Sequence, residues 1–188
     1  ALHEALARFP NATYADRTPG AGLVTDAAGA VIGVRAGEDG EQRIGAKKVI
    51  LACDGFGANR EMLRQYIPEM ADVECIGARG NTGDGIRWGL ELGAALDHMS
   101  GYQGHGLVIP VFGTRLVPEV QQLGAILVNV DGERFDREDQ GYSELARALL
   151  AQPRGMALMI FDQRIHDIAS INEHFLDSVA AGALKRAD

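Results

Sequence analysis

The chain has 188 residues, of which 46% are hydrophobic and 23% charged, a composition typical of a globular protein with one or two domains. Its formal net charge of −8, without any basic cluster, argues against nucleic-acid binding, which requires cationic side chains to neutralise phosphates. No apolar run approaches the ~20 residues of a membrane span, so we expect no membrane span. Two cysteines are too few for a disulfide scaffold, so a reducing, cytoplasmic location is the expectation.

The first third of the chain predicts a short helix followed by a β-meander. Apolar residues at helical spacing predict a helix over residues 2–9, which Pro10 ends. Turns that contain glycine then separate three short strands, predicted at residues 21–25, 31–36 and 42–46. The next segment, Lys48 to Cys53, contains four consecutive apolar residues, which predicts a strand that is buried on both faces.

Helices and strands are interspersed in the rest of the chain, without regular βαβ alternation. Asn59 can cap a helix over residues 60–66, and Thr82 or Asp84 can cap a second one over residues 84–95. The remaining predicted elements are strands at 125–129 and 157–161, a turn at 130–133, and helices at 143–151 (capped by Ser143), 163–169 and 176–183. This pattern predicts the α+β class with a mixed sheet.

Two glycine-rich segments are candidates for close approach to a ligand. Asp54–Gly57 follows the predicted buried strand, and Gly80–Gly85 precedes the helix predicted at residue 84. Free N–H groups at the start of such a helix suit a phosphate or the polar edge of a ring. An ordinary turn and an ordinary N-cap are the structural alternatives.

Two side chains are candidates for contact with a substrate. His105 lies between two glycines and outside any periodic element, so we expect it to be accessible and able to bond a substrate oxygen or carboxylate. Tyr142 precedes a predicted helix, and its hydroxyl can transfer a proton only if its pKa, ~10 when unperturbed, is lowered. The alternatives are a surface histidine and a packing tyrosine. Two cysteines and no pair of histidines at ligand spacing predict no disulfide scaffold and no metal site.

In their order and spacing, five segments resemble the FAD-dependent oxidoreductases of the fumarate reductase and succinate dehydrogenase flavoprotein family. These segments are Val49–Phe56, Asn81–Gly85, Gln103–His105, Gly124–Asn129 and Gly132–Phe135. Gly141–Glu144 and Leu150–Pro153 are most similar to the tricarballylate dehydrogenase and 3-ketosteroid dehydrogenase branches. The family's G-x-G-x-x-G fingerprint does not occur in complete form. The resemblance therefore implies an internal piece: residues 1–70 as part of the FAD-binding domain and residues 71–188 as a substrate-capping α+β domain.

The resemblance also implies an activity: oxidoreduction of a C–C bond next to a carbonyl or carboxylate, with hydride exchanged with FAD. The substrate would be a small carboxylate or ketone, and the rest of the FAD domain would be the partner of this piece. Alone, the piece is expected to bind no FAD and to be inactive. The implied FAD contacts are Ala52, Cys53, Asp54, Gly55, Thr82, Gly83 and Asp84.

The implied catalytic residues are His105, which would hold a substrate carboxylate, and Tyr142; Gln121 would also bind substrate. Pro118, Gln121 and Tyr142 stand where fumarate reductases have a proton-transferring glutamate and two arginines, so fumarate reduction by that route is not expected. Tyr142 would instead act as the acid or base. The alternative function is a free-standing α+β module that binds an anion or a partner through residues 77–85 without catalysis.

Overall fold

The computed structural model describes residues 2–186, and it describes their side chains except those of Leu2, His3 and Tyr142. The chain divides into two compact units, Ala1–Gly101 and Tyr102–Asp188. The functional boundary near residue 70, between a FAD-binding part and a capping part, stays a prediction. Among the described residues, no helix combines the length and apolar character needed to cross a bilayer.

The first unit contains the predicted meander, with one α-helix before it and two after it among residues 2–101. Its elements are α1 (Leu2–Leu6), β1 (Gly20–Thr25), β2 (Val31–Ala36), β3 (Gln42–Gly45), α2 (Arg60–Tyr66) and α3 (Asp84–Glu91). The strands form one antiparallel sheet in the order β1-β2-β3. The ring of Trp88, on α3, lies against Gly20 of β1, where an added Cβ would be 3.2 Å from the ring.

The strand predicted between Lys48 and Cys53 is wrong. This segment is not part of any described sheet, and its side chains are not buried, since Ile50 is 89% exposed and Leu51 is 43% exposed. A strand that is buried on both faces needs a hydrogen-bonded neighbour and covering layers, and no described strand pairs with this segment. The apolar residues favour a β-strand, but no strand within residues 2–186 is available to pair with this segment.

The helix caps of the first unit agree only in part with the predictions. Asn59 caps α2 as predicted, because its side-chain oxygen accepts the N–H groups of Glu61 and Met62 at 3.1 Å. At α3, neither Thr82 nor Asp84 is the N-cap, because Gly83 occupies that position in the left-handed conformation. This helix ends at Glu91 rather than at residue 95, before the left-handed Gly93.

The second unit alternates short strands and helices. Its elements are β4 (Val108–Ile109), β5 (Thr114–Arg115), α4 (Pro118–Gln122), β6 (Ile126–Val128), α5 (Tyr142–Leu150), β7 (Leu158–Ile160), α6 (Gln163–Ala169) and α7 (Glu173–Ala180). The α+β class is confirmed, but the mixed sheet is wrong. All described strand pairs are antiparallel. In the second unit β4 pairs with β5 and β6 pairs with β7, and these two sheets are separate from the β1-β2-β3 sheet of the first unit.

An apolar core holds these elements of the second unit together. Phe175 of α7 is fully buried, and its ring contacts those of Phe161 and His166. The other buried members are Leu107, Leu116, Val117, Val120, Ala125, Leu127, Leu145, Ile165 and Ala169. At roughly 1.5–3 kcal/mol for each large apolar side chain, this burial is the main stabilisation of the unit.

Two helix starts in the second unit differ from the prediction. Gly141, not Ser143, is the N-cap of α5, and no side chain caps this helix. The last helix begins at Glu173 rather than at residue 176, because the side chain of Asn172 accepts the N–H of His174 at 3.0 Å.

Candidate functional site

The two glycine-rich segments of the first unit contact each other. The side-chain amide of Asn81 donates to Oδ2 of Asp54 at 2.7 Å, and the N–H of Gly83 donates to the carbonyl of Gly55 at 3.0 Å. The N–H of Ala58 donates to the carbonyl of Asn81 at 2.9 Å. The structure thus brings the predicted cofactor residues 53–55 and 82–84 together.

Asp54 has an unusual backbone conformation for a residue with a side chain. Its φ is +60°, in the left-handed region that most residues avoid at a cost of roughly 1–2 kcal/mol. Its Oδ1 accepts the N–H of Gly55 at 2.8 Å, a local bond that helps aspartate to adopt this conformation. The side chain therefore fixes both the turn and the adjacent segment.

Two glycines of the second segment are required by close packing. Gly83 has φ +79°, and a Cβ there would lie 2.4 Å from Sδ of Met62. A Cβ at Gly85 would lie 2.6 Å from Sγ of Cys53. Distances this short exclude any side chain without displacement of a neighbour, so these glycines allow α3 to begin directly beside the Cys53 turn.

A charged pair marks the first turn of α3. The hydroxyl of Thr82 donates to Oδ2 of Asp84 at 2.8 Å, and the guanidinium of Arg87 forms an ion pair with the same carboxylate. These two hydrogen bonds, that of Thr82 first, lower the pKa of Asp84 below its usual range. Asp84 is therefore an anion at neutral pH, which the partial positive charge of the helix N-terminus also favours.

An open groove of about 390 Å³ lies beside these segments. Its lining includes Val49–Cys53, together with Asp84 and Trp88 of α3 and residues of β1 and β2. The volume falls in the range of about 300–1,000 Å³ that is usual for small-molecule sites. Ala52 and Cys53, both predicted to approach FAD, are on this groove.

In the second unit, His105 lies on a loop that packs tightly on α5. A Cβ at Gly104 would be 2.5 Å from that of Ala146, and one at Gly106 would be 3.3 Å from the Ala146 backbone. The Nδ1 atom of His105 accepts the N–H of Leu107 at 3.4 Å. Partial burial, and then the positive charge of Arg115, lower the pKa of His105, so the imidazole is neutral at pH 7.

Gln121 belongs to a buried polar group. It is 4% exposed, and its amide N–H donates to the backbone carbonyl of Glu138, while its Oε1 is buried without a hydrogen bond to any described residue. Glu138 is 5% exposed and pairs with Arg134, and it accepts the N–H of Leu127 at 2.8 Å. Burial raises the pKa of Glu138, but the bonds from Arg134 and Leu127 outweigh it, so the pKa lies below its usual range.

Glu138 was not predicted from the sequence. The available signal was its position four residues after Arg134, although that spacing is informative only within a helix. His105 and Gln121 both lie in the second unit, whereas the predicted FAD contacts lie in the first. The backbone of Tyr142 begins α5, and its side chain lies outside the described residues.

Residues 1–182 match the sequence profile of the FAD binding domain family. The chain belongs to this family. The match supports the flavoenzyme hypothesis over a free-standing binding module, and it confirms the resemblance on which that hypothesis rests.

The proteins that are similar to this chain include two enzymes and one solved structure. A probable fumarate reductase of Shewanella frigidimarina is 35% identical over 70% of this chain and 22% of its own length. A 3-oxosteroid 1-dehydrogenase of Mycobacterium tuberculosis is 36% identical over 63% of this chain and 23% of its own length. The open conformation of a flavocytochrome c3 fumarate reductase has a TM-score of 0.66 at 28% identity, over 88% of this chain and 32% of that structure. The chain thus spans less than a third of the length of these proteins.

The groove residues fit part of a flavin nucleotide. Residues 49–53 line the groove and belong to no described sheet, so their backbone N–H and C=O groups are not used in strand pairing. Trp88 offers an apolar ring at the same groove, and α3 begins beside it. Polar backbone edges next to an apolar surface suit a heteroaromatic ring system.

Proposed function

We propose that the enzyme containing this chain uses FAD to oxidise or reduce a C–C bond next to a carbonyl or carboxylate. The observation that carries the proposal is the junction of residues 53–55 with residues 82–84 beside the groove. In a chain of the FAD binding domain family, this junction supports a cofactor site built from those residues.

The residues of the first unit would bind and orient the cofactor. The N–H groups at the start of α3 suit polar acceptor atoms, and the backbone of residues 49–53, which is in no described strand pair, would supply further donors and acceptors. Asp84 keeps a negative charge at this position because Thr82 and Arg87 hold its carboxylate. When bound, FAD supplies the hydride acceptor or donor of the reaction.

The residues of the second unit would bind substrate and move a proton. His105, neutral at pH 7, can donate a hydrogen bond to a carbonyl or carboxylate oxygen, and the Gln121 amide is placed by Glu138. In oxidation the carbon next to the carbonyl loses a proton as hydride leaves its neighbour. We assign that proton to Tyr142, whose phenolate form would accept it; the hydroxyl formed in this way would return the proton in the reverse direction.

The substrate is proposed to be a small carboxylate or ketone. Among the relatives, one is named a fumarate reductase and another a 3-oxosteroid dehydrogenase, and both names denote a C–C bond next to a carbonyl carbon. The cytoplasmic location and the capping role of residues 71–188 are part of the same proposal.

The experiment follows the flavin absorbance of the FAD-loaded enzyme without oxygen. A saturated carboxylate or ketone should bleach the oxidised flavin, or the unsaturated counterpart should restore the colour of flavin that was reduced beforehand. A His105→Gln variant should bind FAD normally and weaken the substrate response. An unchanged flavin spectrum with both substrate classes, in both directions, would refute the proposal.

A further inference from the structure

The β4–β5 hairpin carries His105 at its start and Arg115 at its end. Val108 pairs with Arg115, and the N–H of Leu116 donates to the carbonyl of Leu107 at 2.9 Å. Leu107 and Leu116 are 3% and 8% exposed, so the core fixes the base of this hairpin. His105 and Arg115 each lie within two residues of those anchors and share a rigid support.

The Arg115 guanidinium is held in place from α7. Its terminal nitrogen lies 2.7 Å from Nε2 of His174, and a guanidinium only donates, so the imidazole accepts. The hydroxyl of Ser178, which is fully buried, donates to the backbone carbonyl of Arg115 at 3.1 Å. Among residues 2–186, no carboxylate lies within ion-pair distance of Arg115.

We propose that Arg115 and His105 together bind a carboxylate group of the substrate, with His174 as the residue that positions the guanidinium. This inference rests on the proposed function, because it names the substrate class of the same site. It selects an anionic carboxylate over an uncharged ketone, since a guanidinium that lacks an acidic partner favours an anion.

The electrostatics of the pair support this assignment. The positive charge of Arg115 acts on His105 and contributes to the lowering of its pKa, so the two groups lie within electrostatic range. The bond from the Leu107 N–H to Nδ1 favours the tautomer with a proton on Nε2, which can donate to an oxygen. A carboxylate bound to both groups would reverse the effect of Arg115 and raise the pKa of His105.

Arg115 and His105 also offer a binding site for an anion in a unit where two positions expected to hold arginine hold uncharged residues. Gln121 and Tyr142 stand where the resemblance implies arginines, and the side-chain N–H of Gln121 is bonded to the backbone carbonyl of Glu138. Arg115 is the cation whose charge acts on His105, the predicted substrate residue. Its planar fork can hold both oxygens of one carboxylate, which a glutamine or a tyrosine cannot.

The test measures binding of succinate to the purified chain, with uncharged succinamide as the matched ligand. Calorimetry gives the affinity, and the NMR titration of the His105 ring, assigned with His105→Gln, gives its pKa. The wild-type chain should bind succinate more tightly than succinamide and should show a raised His105 pKa. Arg115→Gln should weaken succinate binding about 10- to 100-fold and abolish the pKa change, and Arg115→Lys should retain part of both effects.

Arg164→Gln is the control, because Arg164 is a cation of the same unit that donates to the Leu123 carbonyl. It should leave succinate binding unchanged. Equal affinity for succinate and succinamide, or equal effects of Arg115→Gln and Arg164→Gln, would overturn the assignment. Such a failure is separate from that of the proposed function, because the flavin-absorbance experiment also accepts a ketone. A flavin response to a ketone without succinate binding would leave the proposed function standing and remove Arg115 from the site.

Discussion

Asn81 donates a hydrogen bond to the Asp54 carboxylate across 27 positions of sequence, at 2.7 Å. The bond joins a turn whose aspartate has a positive φ to the segment that leads into α3. Aspartate therefore has two opposing effects at position 54: its conformation is unfavourable, and its two side-chain bonds are favourable.

Replacing Asp54 separates these two effects. Asp54→Ala removes both bonds and keeps the unfavourable φ, so it should lower the free energy of unfolding by about 1–3 kcal/mol. Asp54→Gly removes the same bonds and relieves the backbone, so it should be roughly 1 kcal/mol more stable than the alanine variant. Urea unfolding of the two variants measures the difference. Equal stability of both would show that the positive φ carries no cost.

The close packing at Gly83 predicts that adding a single methyl group there lowers the stability of the protein. Gly83→Ala combines a positive φ with a Cβ at 2.4 Å from Sδ of Met62, so it should cost about 1–3 kcal/mol of stability. Gly80→Ala is the control, because nothing lies within 4 Å of a Cβ there and its φ is not positive. Thermal unfolding of both variants distinguishes them. A similar midpoint for the two would contradict the close approach of Gly83 to Met62.

The buried Glu138 predicts a pH-dependent stability. The folded-state pKa is lowered, so the stabilisation is complete above the unfolded value of 4.5 and is lost as the pH falls through the folded value. Glu138→Gln should cost about 1.5–3 kcal/mol near pH 7, since it removes the charge that Arg134 bonds. The difference between wild type and variant should shrink below pH 4.5.

Asp139→Asn is the control for this effect. Asp139 pairs with Arg137, and both side chains are more than two-thirds exposed, so solvent screens the pair. Urea unfolding between pH 3 and pH 8 should show no measurable difference between this variant and wild type. A pH dependence that matches that of Glu138→Gln would indicate a general effect of negative charge rather than the buried pair.

Local sequence signals were sufficient for several elements and insufficient for others. The β-meander and the Asn59 cap were predicted because turns and caps depend on residues within a few positions of each other. The strand predicted between Lys48 and Cys53 is absent because strand formation depends on a distant partner. The short helix α4 was missed, although Pro118 at its first position is a recognised helix-start signal.

In the candidate site, too, some contacts were expected from the sequence and others were not. The proximity of Gly55 to Gly83 agrees with the resemblance, since both segments were expected at the cofactor. The contact of Gln121 with Glu138, and that of Arg115 with His174, join separate elements of the fold. No spacing in the sequence encodes such contacts, because they depend on how α4 and α7 pack on the core.

Tyr142→Phe tests the proposed proton transfer, because it keeps the ring and removes only the hydroxyl oxygen. In the FAD-loaded enzyme with its substrate, kcat should fall about 10²- to 10⁴-fold, the usual contribution of general acid–base catalysis. KM should change little, since proton transfer acts mainly in the transition state. Stopped-flow measurement of the flavin absorbance gives the rate of the chemical step directly.

Tyr102→Phe provides the matched control for this variant. The ring of Tyr102 lies under the guanidinium of Arg147 at 5.2 Å from its centroid, and that contact uses the ring rather than the hydroxyl. The control should therefore retain wild-type turnover and stability. If Tyr142→Phe also turns over at the wild-type rate, Tyr142 is a packing residue at the start of α5 and another group supplies the proton. If the rate of Tyr142→Phe falls while its FAD binding and its unfolding stay unchanged, the missing hydroxyl causes the loss, because this variant differs from wild type in no other group.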